Sequence, residues 1–113
     1  MDRLQAIQEL TAKGQAYEIV PAEAWGRSVR VFAQAPRHLR ALYDDARSDL
    51  PFLVYGDERR TFEEVWRESC RIAEYLVRDC GVVAGDRIAI SMRNYPEWVS
   101  TFMAATSIGA IAV

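Results

Sequence analysis

A single lysine, a single histidine and two cysteines stand among 113 residues, and each scarcity removes a class of chemistry. Lys13 is alone against thirteen arginines, and those are interleaved with sixteen acids for a net charge of -2, so no basic stripe for nucleic acid exists. A genomic composition bias explains the arginine excess and says nothing of partners. His38, with Arg37 and Arg40 close by, reads as a solvated helix residue and is given no acid–base role. If Cys70 and Cys80 share one helix, their spacing holds them about 15 Å apart, whereas a disulfide needs Cα atoms within about 7 Å. They are expected to be reduced and structural, and without further Cys or His partners they form no zinc site. Long apolar runs are missing too. The charged opening Met1-Asp2-Arg3-Leu4 is followed by no secretory core, so the expected location is cytoplasmic. Trp98 to Val113 carries no charge for sixteen residues, short of the roughly 20 that a membrane span needs and broken by Gly109, so it reads as buried core.

Reactive constellations are equally scarce. No G-x-x-x-x-G-K-[ST] loop, dinucleotide glycine fingerprint or Ser/Thr/Gly-rich loop precedes a helix, so nucleotide binding has no carrier in this chain. Asp44-Asp45 and Glu63-Glu64 are adjacent pairs, which a helix splays by about 100°, and they belong to solvent faces. No serine or cysteine has a sequence-evident base and orienting partner.

What is present is a sequence of amphipathic and strand-like segments. Leu4, Ile7 and Leu10 recur at threes between Asp2 and Ala12, predicting a short helix that Gly14 ends. Tyr17 to Phe32 has no steady period and reads as extended or irregular chain. Pro36 suits the first turn of a helix carrying Leu39, Leu42, Tyr43 and Ala46. Phe52 to Tyr55, the turn Gly56-Asp57 and Arg59-Arg60 suggest a hairpin arm. Thr61 and Glu64 form a capping box that starts a helix with Phe62, Val65, Trp66, Ile72, Ala73, Leu76 and Val77 on its core face, stopped at Gly81.

Arg87 to Met92 then reads as a strand with little polar alternation, the pattern of a sheet covered on both faces. Asn94, three residues before Glu97, has the position of an N-cap for the next helix, with Pro96 in its first turn. Asn94 also lies just past the strand, where α/β folds gather ligand contacts. Trp98, Val99, Phe102 and Met103 are expected to face the core, and Ala104, Ala105, Ser107 and Gly109 to permit close approach to a sheet. Strand, helix, strand is the signature of a crossover joining parallel strands. The chain is expected to divide into an N-terminal helical and irregular extension, 1–50, and the start of an α/β domain, 51–113.

Four segments resemble a known family when read in order: Thr61-Phe62-Glu63-Glu64-Val65; Gly81 to Ile90; Asn94-Tyr95-Pro96-Glu97-Trp98; and Gly109-Ala110-Ile111-Ala112-Val113. The set resembles the N-terminal part of adenylate-forming, AMP-binding acyl-CoA synthetases, over roughly Leu39 to Val113, and the Asn94–Trp98 form most resembles fatty-acid–CoA ligases. The resemblance implies an incomplete, layered α/β large domain. It also implies a parent enzyme in which a carboxylate attacks the α-phosphate of Mg-ATP, and the CoA thiol then displaces AMP from the acyl-adenylate. ATP, Mg and CoA would be the parent's cofactors, and a carboxylic acid its substrate. The family's phosphate loop, adenine segment and mobile-domain lysine match no position here, Lys13 included, so no catalytic, cofactor-binding or metal residue is carried over. The leading expectation is a catalytically silent fragment whose partner is the remainder of the parent chain. Apolar faces within Trp98 to Val113 would favour self-association. Alternatives are a small α/β interaction module, or part of another adenylating enzyme such as an aryl-CoA ligase or a peptide-synthetase adenylation domain.

Overall fold

The computed structural model describes residues 1–113. They form two compact units, Met1–Pro36 and Arg37–Val113. In the first, helix α1 spans Arg3–Leu10, and Asp2 with Gln5 makes a capping box at its start. Thr11 ends the helix ahead of Gly14. The stretch read as extended or irregular is extended and paired, as an antiparallel hairpin of β1 (Ile19–Ala24) with β2 (Arg27–Phe32), in register from Ile19 opposite Phe32 to Ala24 opposite Arg27. Its two-residue turn puts Trp25 and Gly26 both at positive φ, the twist that right-handed strands accept at a tight hairpin. Tryptophan in the first turn position hid this signal. No residue of this unit is fully buried.

The second unit begins with helix α2 (Leu39–Asp45), which lies inside the segment 1–50 expected to be an extension. Pro36 is not in its first turn. The cap is His38, whose Nδ1 accepts from the Ala41 N–H at 3.1 Å, so the histidine has a structural duty that spacing did not suggest. Strands β3 (Pro51–Tyr55) and β4 (Glu58–Thr61) form the expected hairpin, with Gly56 at positive φ in the turn. Helix α3 (Phe62–Arg78) starts at the Thr61–Glu64 capping box as the sequence predicts.

Strand β5 is only Arg87–Ile88 by pairing, shorter than Arg87 to Met92, and runs parallel to β6 (Ile111–Ala112). Single bonds lengthen the ladder, with Ile90 N–H reaching Val113 C=O at 2.9 Å. Helix α4 (Pro96–Ser107) crosses between them. This pair is not covered on both faces: Ile88 and Ile90 are half-buried, but Ala89 and Ser91 are exposed.

The core lies where α3 meets α4. Val65, Trp66 and Met103 are its buried centre, and Tyr43, Leu53 and Val99 pack around it. Ser69, Ser100, Ala104 and Ala105 are also buried, small enough to let the two helix backbones approach. The expected core face of α4 is therefore rotated: Trp98 is 36% exposed and stacks on Phe102 with ring centroids 5.2 Å apart, while Ser100 takes the interior. Val77, expected inside, is exposed near the end of α3.

Candidate functional site

The feature best shaped to hold something is a cleft of about 220 Å³ between strand β3 and the start of α4. Leu53, Val54 and Tyr55 supply one wall; Asn94, Tyr95, Pro96, Trp98 and Val99 supply the other. Each wall has a local cause. In the hairpin Leu53 packs against the core, while Val54 and Tyr55 are exposed. Pro96, buried at the first helical position, fixes φ and needs no N–H partner there. Tyr55 and Tyr95 meet edge to face across the cleft, with centroids 5.7 Å apart.

Asn94 lines this cleft and does not cap α4: the N-cap residue is Tyr95, and no side chain bonds the helix's free N–H groups. The shift is a matter of geometry. Proline at the first helical position makes the preceding residue, Tyr95, take the extended conformation that a cap requires, at φ -88° and ψ 157°. Asn94 is left one residue outside the helix.

Glu97, read as the reciprocal partner of that cap, instead accepts from Arg60 at 3.2 Å. Arg60 is the hub of the charged cluster beside the cleft. It bonds Glu58 on its own strand and Glu68 of α3 at 2.6 Å, and Glu68 also accepts from the buried Ser100 hydroxyl at 2.6 Å. The bond to Glu58 above all holds the Arg60 guanidinium firmly protonated. A second network lies at the far end of the hairpin: Arg47 reaches Glu63 at 2.8 Å and Asp44 at 3.0 Å, and stands 5.6 Å above the Trp66 ring. Its bond lowers the Glu63 carboxyl below the ordinary range, with Arg67 adding to the effect and partial burial opposing it. None of these groups was legible as a network in the sequence, because Arg60 and Glu97 are far apart in the chain.

Chemically the cleft is neutral. Its polar side-chain lining consists of one carboxamide, two phenols and the Trp98 indole N–H, and no arginine or lysine enters it, so it does not fit a polyphosphate. Cys70 and Cys80 are free and exposed, and a contact with the Cys80 sulfur raises the Tyr75 phenol. No three of the His, Cys, Asp and Glu side chains are gathered so as to hold a metal ion. No helix is long and apolar enough to cross a membrane.

The pattern describing the AMP-binding enzymes matches residues 29–113. Over 79 residues the chain is 37% identical to the acetyl-coenzyme A synthetase of Sinorhizobium medicae, covering 66% of this chain and 12% of that protein. It is 36% identical over 61 residues to the 2-succinylbenzoate–CoA ligase of Bacillus velezensis, covering 54% of this chain and 12% of that one. The chain thus spans 12% of the length of each of these two relatives. Among solved structures it superposes on the anthranilate CoA ligase AuaEII, in complex with anthranoyl-AMP, with a TM-score of 0.62 at 24% identity, over 66% of this chain and 15% of the other. That likeness concerns the fold, which is the mixed α/β arrangement expected from the sequence.

Proposed function

Because the chain belongs to the AMP-binding enzyme family, we propose that it forms the N-terminal part of a carboxylate–CoA ligase that works through an acyl-adenylate. A carboxylate is a poor acyl donor until its oxygen becomes a good leaving group. Transfer to the α-phosphate of ATP, with loss of pyrophosphate, achieves this, and the CoA thiol then releases AMP. The observation that carries the reading is the family match over residues 29–113, which spans all four ordered motifs.

The residues present do not fit the nucleotide or its metal, so no step of that chemistry is assigned to them. Their part is structural: α3 packs on α4 and on the β3–β4 hairpin, and α4 connects the two strands of the short parallel pair. The substrate is proposed at the level of a carboxylic acid. The fatty-acid reading rests on the Asn94–Trp98 motif, while the two relatives described above are named for acetyl-CoA and 2-succinylbenzoate. A cytoplasmic setting belongs to the same proposal.

The test compares the product of the intact gene with the 113-residue chain, each given Mg-ATP, CoA and acetate, 2-aminobenzoate or palmitate. The intact product is expected to release pyrophosphate and form a thioester with at least one acid, and the chain alone to do neither. Absence of carboxylate-dependent pyrophosphate release from the intact product, over a wider panel of acids, would overturn the reading.

A second reading, an interaction module that pairs through a strand edge, is favoured by Ile111 and Val113, which are 48% and 71% exposed on or beside β6. Because an isolated fragment would also associate through Trp98 to Val113, static light scattering of the intact gene product separates the two. A concentration-dependent dimer abolished by Ile111→Lys supports the module, and a monomer at all concentrations removes it.

A further inference from the structure

We propose that the cleft between β3 and α4 is a binding site for a small, uncharged, planar group bearing an amide or similar hydrogen-bonding function, with Asn94 as its recognition residue. The inference does not depend on ligase activity. Three observations carry it.

The first is size. A volume of about 220 Å³ is below the roughly 300–1,000 Å³ of sites that enclose drug-sized molecules, so the occupant is a ring-sized molecule or one ring-sized part of a larger one. The second is charge. No charged side chain lines the cleft: Arg59, in register with Val54, and Arg93, next to Asn94, are not among its walls, and Arg60 is held by Glu58, Glu68 and Glu97, so neither a carboxylate nor a phosphate finds a counter-ion inside. A cation fares no better, since none of those three carboxylates lines it either. A charged occupant would lose hydration without recompense, whereas a neutral one would not.

The third is the chemistry of the walls. Tyr55, Tyr95 and Trp98 offer aromatic surface, which favours a flat apolar partner. Asn94 brings a carboxamide that is not used by the helix cap and that can both donate and accept. It lies in the connection between β5 and the crossover helix, which brings its side chain to the cleft facing β3.

The test uses three compounds of nearly one shape: benzamide, benzoate and benzamidine, which are neutral, anionic and cationic. Each is titrated into the uniformly ¹⁵N-labelled chain, and the Asn94 side-chain amide and Trp98 indole resonances are followed. Benzamide is expected to shift both saturably, and to bind at least fivefold more tightly than either ion. Asn94→Ala should weaken benzamide at least fivefold with resonance dispersion preserved. Asn94→Asp should reverse the order in favour of benzamidine. Tyr55→Leu, away from the α4 start, gives a second variant that should also weaken binding. Ligand-observed titration of the intact gene product repeats the comparison where the rest of the protein is present. Equal binding of the three compounds, no saturable shift in either preparation, or an unchanged benzamide affinity in Asn94→Ala would overturn the proposal. Pyrophosphate release enters none of these readings, so failure here and failure of the ligase reading are separate results.

Discussion

The Ser100 hydroxyl, wholly buried on α4, donates to the Glu68 carboxylate of α3 at 2.6 Å, in the one place where the two helices of the core share a side-chain hydrogen bond. The same carboxylate is held from the strand side by Arg60. One acceptor thus joins α4, α3 and the β3–β4 hairpin.

Ser100→Ala removes the donor but leaves Arg60 to satisfy Glu68, so the expected cost is about 1 kcal/mol, a fall in melting temperature of about 4–8 °C. Ser100→Leu forces extra volume into the fully buried place of Ser100 between α4 and α3 and should cost more, about 1–3 kcal/mol or beyond. Thermal unfolding followed by circular dichroism checks the order; a leucine variant as stable as the alanine variant would contradict the close approach of α3 and α4.

Gly109 is expected to tolerate substitution less than Gly81. Both have positive φ, at 79° and 68°, and an alanine at either is expected to cost about 1 kcal/mol for that conformation. A Cβ on Gly109 would also stand 3.1 Å from the Ala84 Cβ, beside the bond from Gly85 N–H to the Gly109 carbonyl, whereas nothing lies within 4 Å at Gly81. Denaturant midpoints for Gly109→Ala and Gly81→Ala should therefore differ, with the first lower.

Acid should expose the Arg47–Glu63 pair. The Glu63 carboxyl is lowered in the folded chain by its bond to Arg47, so this contribution to stability is complete above the ordinary glutamate value of about 4.3 and is lost as pH falls through the lower folded value. Between pH 5 and 3, on the order of that window, the melting temperature of the parent chain should fall more steeply than that of Glu63→Gln, which has no proton to take up. Parallel slopes would show that the bond does not persist in solution.

Mg-ATP is expected to leave the melting temperature of the 113-residue chain unchanged, because a ligand stabilises only a folded state that binds it. The candidate cleft has no cation for phosphate. A rise of several degrees would reveal a phosphate site in this chain and call for a reassignment of its basic residues.

Local chemistry made the second half of the chain readable. The Thr61–Glu64 box, the Gly56 turn and the glycine stop after α3 each act over a few residues, and the structure has all three. Strand, helix and parallel strand followed from the same short-range signals, and the ordered motifs pointed to the family. What eluded the sequence depended on competition or distance. Asn94 had the residue type and the spacing of a cap, but proline at the first helical position transferred that place to Tyr95, and only the fold shows the freed amide lining a cleft. Trp98 had the periodicity of a core residue, yet the interior went to Ser100 because two helix backbones in close contact accept a small side chain and exclude a large one. Arg60 and its three carboxylates come from β4, α3 and α4, so their meeting is a product of packing, which brings together charges that no local pattern links.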